Sequence, residues 1–254
     1  MKHGHLADAA IALSRILTFH RIHHGFFGGF AILSTTTSPA RETKDLDVLV
    51  SASKETVASL LSARYGWLEI PQTREDYLAY FYKRPTSSVS SSAASTSSSL
   101  FSDHSDDEEE QSPTVLVELF VGQQAAKFPE SKNCVLRGAR LGISYVPLLS
   151  EEYLFRGKLN AAATRGKVGD ALDILYLVEE YGAVLRERLD IDGVDKKVVS
   201  DAIKRHPELR RALEQVGVKT GHAHGRWRVR RKKPEVVQTV PAGVWDVHRG
   251  LGWE

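Results

Sequence analysis

Residues 45–50 read Asp-Leu-Asp-Val-Leu-Val, and no other stretch constrains the fold as tightly. Alternation along a strand puts Asp45 and Asp47 on one face, with Leu46 and Val48 on the other. Two carboxylates on one face repel each other, at a cost that a cation between them removes. Hard divalent ions take oxygen ligands, and Mg²⁺ is typically held by one or two carboxylates together with substrate phosphates. Upstream, Gly28 and Gly29 allow the backbone to approach a ligand with no Cβ in the way. Read alone, the glycine pair fits a plain tight turn equally well. The stretch from Gly28 to Val50 therefore reads as a phosphate-approach turn followed by a metal-holding strand.

The chain has 254 residues, enough for one large domain or for a domain with a smaller companion. A hydrophobic content of 42% and a charged content of 26% are ordinary globular usage, so a sizeable core is expected. The formal net charge of +2 names no partner by itself. Cys134 is the sole cysteine, which excludes an intramolecular disulfide, and no zinc-type spacing surrounds it. That usage points to a reducing compartment. No apolar run reaches membrane-spanning length, and the first helical segment carries Arg15 and Arg21, unlike a signal peptide. The expectation is a soluble cytoplasmic protein with no membrane partner, with a nuclear destination left open by a basic run near the C-terminus.

In chain order, Leu6, Ala9, Ala10, Leu13, Ile16 and Leu17 recur at helical spacing, predicting one amphipathic helix over 6–24 that ends at Gly25. His20, His23 and His24 fall on its last turn. Lacking acidic or cysteine partners nearby, they read as polar or cationic residues at a helix C-terminus rather than as a zinc site. Ser53 is placed to cap a helix running to about Arg64, with Val57, Leu60 and Leu61 on its buried side. Trp67–Ile70 and Tyr77–Lys83 alternate as two strands of a hairpin. Residues 86–105 are mostly serine and 106–110 are acidic, a composition that cannot bury enough apolar surface to offset its ordering entropy. This insert, at about 85–113, interrupts a domain instead of ending one, because β-prone sequence (TVLVELFV, 114–121) resumes at once.

Glu118 is the polar residue of that run. It reads either as an outward-facing side chain on a half-buried strand or as a third carboxylate beside Asp45 and Asp47. Residues 123–148 are mixed, with a short strand at Ile143–Leu148. Ser150 caps a helix that Gly169 interrupts, and Asp170–Tyr181 forms a second. Lys158, Arg165, Lys167, Asp170 and Asp173 are the polar residues of this pair, and surface salt-bridging alone would account for them. Val198–Val216 is one helix, or two broken at Pro207. From 201 onward there are twelve Lys or Arg against six Asp or Glu, with RWRVRRKK at 226–233. That excess suits nucleic-acid phosphates, with Trp227 available to stack, and equally suits a solvated tail or a nuclear-import signal.

Taken together, GG at 28–29, RETKDLDVLV at 41–50 and VLVELFV at 115–121 resemble the nucleotidyltransferase-fold superfamily. Its members carry a glycine pair, a D-x-D strand and a third carboxylate on a later strand. The wording around Asp45, followed by Lys158, Arg165, Lys167, Asp170 and Asp173 in a helical pair, is similar to the branch of minimal nucleotidyltransferases that contains AbiEii-type toxins. The similarity spans about residues 20–182, apart from the insert, and the connector between Gly29 and Asp45 is slightly longer than the family pattern.

The resemblance implies an α+β fold: a nucleotidyltransferase-type mixed sheet flanked by helices, followed by a helical C-terminal region. On that reading 1–148 is the catalytic domain, 149–216 a helical region packed on it, and 217–254 a basic tail. It implies catalytic and metal-binding roles for Asp45, Asp47 and Glu118, with Mg²⁺ (or Mn²⁺) as cofactor. Nucleoside triphosphate contacts fall to Gly28, Gly29, Arg41, Lys44, Lys158 and Asp170. The implied reaction moves a nucleoside monophosphate to a hydroxyl acceptor, whether RNA (through the basic tail), protein or a small molecule. A silent relative that binds nucleotide or nucleic acid without chemistry is the alternative. No G-x-x-x-x-G-K-[ST] loop is present to suggest a P-loop enzyme.

Overall fold

The computed structural model describes residues 3–35, 42–83 and 114–221. In chain order the elements are α1 (His3–Phe19), β1 (His24–Phe27), α2 (Gly28–Thr35), β2 (Asp45–Val50), α3 (Lys54–Ser62), β3 (Trp67–Ile70), β4 (Tyr77–Tyr82), β5 (Val115–Phe120), β6 (Ser131–Arg137), β7 (Ile143–Leu149), α4 (Glu151–Thr164), α5 (Val168–Arg188), α6 (Lys196–Arg205) and α7 (Leu209–Gln215). The strands form one seven-stranded mixed sheet in the order β3-β4-β5-β2-β1-β7-β6. β2 runs parallel to β5, and β1 parallel to β7, whereas β4 is antiparallel to both β3 and β5. The fold is α+β with helices flanking the sheet, as the resemblance implied. Arg41, the serine-rich and acidic insert and the basic run at 226–233 lie outside the described residues.

The chain divides into two compact units. Among the described residues, 3–24, 44–83, 114–127 and 135–146 form the first, and 25–35, 42–43, 128–134 and 147–221 the second.

In the first unit, strand alternation sorts the side chains. Leu46, Val48 and Val50 of β2, Val115, Val117 and Leu119 of β5, Leu78, Tyr80 and Tyr82 of β4, and Trp67 of β3 are all buried. Burying apolar surface of this extent is the main favourable term in folding, at about 25 cal/mol per Å². α1 packs against β2 and β5, and α3 against β3 and β4. α1 buries Leu6, Ala9, Ala10, Leu13 and Leu17 of the stripe its spacing predicted, and Ile16 is half-buried. Ser53 caps α3, accepting from Thr56 N–H. The Asp8 carboxylate, 1% exposed, accepts the N–H groups of Arg140 (3.1 Å) and Leu141 (2.8 Å) and so ties the β6–β7 turn to α1. A buried carboxylate satisfied by backbone donors costs little, and the same group unpaired would cost several kcal/mol.

In the second unit α4 packs on α5 and α6, α5 on α7, and α2 on α4. Phe26 meets Phe30 edge-on at 5.7 Å, and Phe27 meets Tyr153 at 6.0 Å. Pro207 separates α6 from α7, so the region 198–216 is two helices.

Several sequence expectations change. α1 stops at Phe19, not at Gly25, because the chain closes a cap there. Arg21 takes a φ of 55°, its N–H bonds to Thr18 O, and Ile22 N–H bonds to Leu17 O. That is a Schellman closure with arginine where glycine is usual, so the sequence carried no stop signal. His24 consequently begins β1 instead of ending a helix. Gly169 does not interrupt a helix either. The break falls at Gly166, with φ 64°, and Gly169 lies in the first turn of α5. β6 was not anticipated; its outward residues are largely polar, so no clean alternation marks it. Among the described residues, no helix is long and apolar enough to cross a membrane.

Candidate active site

Parallel pairing of β2 with β5 sets Asp47 directly beside Glu118, and Asp45 beside Leu116. Residues paired in register share a face, and so do residues two apart along one strand. Asp45, Asp47 and Glu118 therefore occupy one face, the one opposite the buried Leu46, Val48 and Val117. All three are half-buried. Glu118 is paired in turn with Ala79 of β4, and Leu116 with Phe81. Beside the carboxylates this face is apolar: Leu68 pairs with Phe81, and the two are 60% and 42% exposed.

Tyr77, at the start of β4, donates its hydroxyl hydrogen to Glu118 Oε1. The Tyr77 ring is tilted against Phe120 at 5.4 Å, and the Arg74 guanidinium sits 5.3 Å from its centroid. Arg74 forms a two-point pair with Asp76 at 2.9 and 2.7 Å. Burial, then the hydrogen bond and charge of Glu118, then the charge of Asp47, push the phenol well above the usual tyrosine range, so it stays a neutral donor. Sequence reading overlooked Tyr77 and Arg74. Only the β4–β5 register, which pairs Tyr77 with Phe120, brings the hydroxyl to a carboxylate two residues back.

Among the described residues, no three His, Cys, Asp or Glu side chains converge closely enough to hold a metal unaided. The register explains this: Asp45 pairs with Leu116, two register positions from the Asp47–Glu118 pair. The donor set suits an ion such as Mg²⁺, which takes one or two carboxylates and completes its shell with phosphate and water oxygens.

Gly28 has a φ of 67°, a conformation that glycine adopts freely, and it opens α2 directly after β1. The pair is thus more than a turn: it is a strand-to-helix junction whose free N–H groups and helix dipole suit an anion. Lys44 is exposed immediately before β2.

Lys158 and Asp170 belong to a cluster within the second unit. The Lys158 ammonium, 7% exposed, lies 3.2 Å from Asp170 and 2.9 Å from Asp173. Arg165 meets the same Asp170 oxygen at 3.3 Å. Both aspartates are 3% exposed. α4 supplies the lysine and α5 the two acids at i and i+3, so one face of α5 meets one cation.

The histidines expected at a helix end separate. His20 and His23 are exposed, while His24 is buried. His24 Nδ1 lies 2.9 Å from Ile22 O, and Nε2 lies 2.9 Å from Ser14 Oγ. A carbonyl only accepts, so Nδ1 carries the proton and Nε2 accepts from the serine. Burial, the dominant cause, lowers its pKa, and the residue is a neutral structural histidine.

The mixed sheet flanked by helices, with an acidic row on adjacent parallel strands and a glycine junction opening a helix, makes an α+β fold. The crystal structure of an antigenic nucleotidyltransferase-like protein from Paracoccidioides brasiliensis is similar over 83% of this chain and 92% of its own, with a TM-score of 0.51 and 16% sequence identity. At that identity the likeness is one of fold. No protein-family model matches the chain, and no curated protein sequence matches it.

Proposed function

We infer that this protein is a Mg²⁺- or Mn²⁺-dependent nucleotidyltransferase that moves a nucleoside monophosphate from a nucleoside triphosphate to a hydroxyl acceptor. The observation that carries the reading is the register pair Asp47–Glu118, with Asp45 two residues along the same face. A fold has no packing reason to set two carboxylates side by side on neighbouring strands, since like charges directly opposite are destabilising. The arrangement makes sense when a cation joins it.

Asp45, Asp47 and Glu118 would hold the divalent ion, which supplies charge neutralisation at the triphosphate oxygens. The acceptor hydroxyl attacks the α-phosphorus in line, and pyrophosphate leaves. Glu118 would also accept the hydroxyl proton. The resemblance assigns phosphate contacts to Gly28, Gly29 and Arg41, and Lys44 adds positive charge at the entry to β2. The exposed Leu68 and Phe81 offer an apolar floor beside the carboxylates for a base or an acceptor. Lys158 and Asp170 act differently from a simple phosphate contact, because the ammonium already meets two carboxylates. Their role is to hold α4 against α5. The motif at 41–47 with this cluster is the ground for placing the chain in the AbiEii-like branch. RNA is the acceptor class that the basic run at 226–233 supports.

One observation favours the second reading, nucleotide binding without transfer: among the described residues no three His, Cys, Asp or Glu side chains converge closely enough to hold a metal. Incubation with each α-labelled nucleoside triphosphate and Mg²⁺ or Mn²⁺, with and without cellular RNA and protein, separates the two. Transfer predicts pyrophosphate release and a labelled acceptor, both lost in Asp47→Asn. Binding of nucleotide with no label transferred from any of the triphosphates would leave the second reading standing.

A further inference from the structure

We propose that Tyr77 is a positioning residue for the acidic site: its hydroxyl holds Glu118 in the arrangement that binds the divalent ion. The proposal rests on the metal-site reading above. A glutamate side chain has three rotatable bonds, and freezing them on metal binding costs free energy each time. A residue that freezes them beforehand lowers that cost, which is the general gain from preorganisation. Tyr77 is built for this. It is 8% exposed and donates to one Glu118 oxygen. A phenol has a single hydrogen to give, so the other carboxylate oxygen keeps its lone pairs for a ligand.

The tyrosine is itself held by its neighbours. Phe120 packs against the ring at 5.4 Å and Arg74 covers it at 5.3 Å. Arg74 is fixed by its two-point pair with Asp76, and Lys54 Nζ reaches the carbonyl oxygens of Gln72 (3.0 Å) and Arg74, pinning the connection from which Tyr77 emerges. Lys54 of α3 and Gln72, Arg74 and Asp76 of the connection before β4 thus serve one hydrogen bond to one carboxylate. A tyrosine kept only for packing would need none of this polar support, since phenylalanine fills the same space.

Mn²⁺ binding to the full chain, followed by electron paramagnetic resonance with and without a nucleoside triphosphate, tests the idea without relying on turnover. Tyr77→Phe keeps the ring, its contact with Phe120 and the cation above it. Loss of a hydrogen-bond partner behind a metal ligand typically weakens metal binding about 10- to 100-fold. That loss is the expected result for Tyr77→Phe, with the melting temperature close to that of the parent. The same substitution made in Glu118→Gln should bring no further loss, because the carboxylate it positions is gone. Equal weakening in both backgrounds would mean that Tyr77 acts through general structure, and the proposal fails. Parent-like Mn²⁺ affinity in Tyr77→Phe, while Asp47→Asn abolishes binding, overturns the role of Tyr77 and leaves the acidic site intact. If the parent protein binds no Mn²⁺, or Asp47→Asn binds it unchanged, the metal-site reading itself falls and takes the proposal with it.

Discussion

Asp47 of β2 and Glu118 of β5 are direct neighbours across a parallel strand pair, separated by 71 positions in sequence and joined by the register alone. Their repulsion is an unfavourable term in the metal-free protein. Asp47→Asn should therefore abolish metal-dependent nucleotide transfer while leaving the fold stable. Removing one like charge from a directly opposed pair is worth about 0.2–1 kcal/mol, so the apo variant should melt at the same temperature or slightly higher. Calorimetry in a chelator, paired with the transfer assay, checks both halves. A large drop in apo melting temperature would count against the metal site.

The buried Lys158 cluster predicts the opposite pattern. Lys158→Met leaves Asp170 and Asp173, each 3% exposed, without their shared cation. Removing one partner of a buried ion pair costs about 3–5 kcal/mol. Urea unfolding should show a clear fall in midpoint, and Asp170→Asn a smaller one because Asp173 still meets the lysine. A Lys158→Met variant of parental stability with a raised KM for the nucleotide would instead mark Lys158 as a substrate contact.

His24 gives a pH signature. Its folded pKa is lowered, chiefly by burial, from the ordinary value of 6.5, with His23 adding a smaller push in the same direction. The unfolded chain therefore binds the proton more readily than the folded one. Stability is fully present above the ordinary histidine pKa and is lost as pH falls below it. Melting temperature should fall between about pH 7 and about pH 5. The slope should flatten in His24→Gln, which loses the titrating group although it is less stable at neutral pH. An equally steep slope in the variant would assign the pH dependence to other groups.

Gly28 opens α2 at a φ of 67°, where a side chain is strained. Gly28→Ala should cost about 1–2 kcal/mol of stability. If the junction receives phosphate, the same variant should also raise the KM for nucleoside triphosphate more than it lowers kcat. Steady-state kinetics alongside thermal unfolding distinguishes the two effects.

Much of this was legible in the chain because it depends on local periods. Alternation in DLDVLV put Asp45 and Asp47 on one face, Ser53 announced its helix, and Trp67–Ile70 with Tyr77–Lys83 announced a hairpin. Cap chemistry hidden in an unusual residue was not legible: Arg21 closes α1 where glycine would have signalled the stop, and that moved His24 into a strand. The glycine pair could be seen but not interpreted until α2 was found to begin on it.

The sequence by itself determined which faces carry carboxylates, because the side-chain period of a strand is a property of the chain. It could not determine which strands are neighbours. Pairing of β2 with β5 and of β5 with β4 depends on contacts between residues tens of positions apart. Only that pairing set Glu118 beside Asp47 and delivered the Tyr77 hydroxyl to Glu118, just as the packing of α4 on α5 buried Lys158 between two aspartates instead of leaving it on a surface.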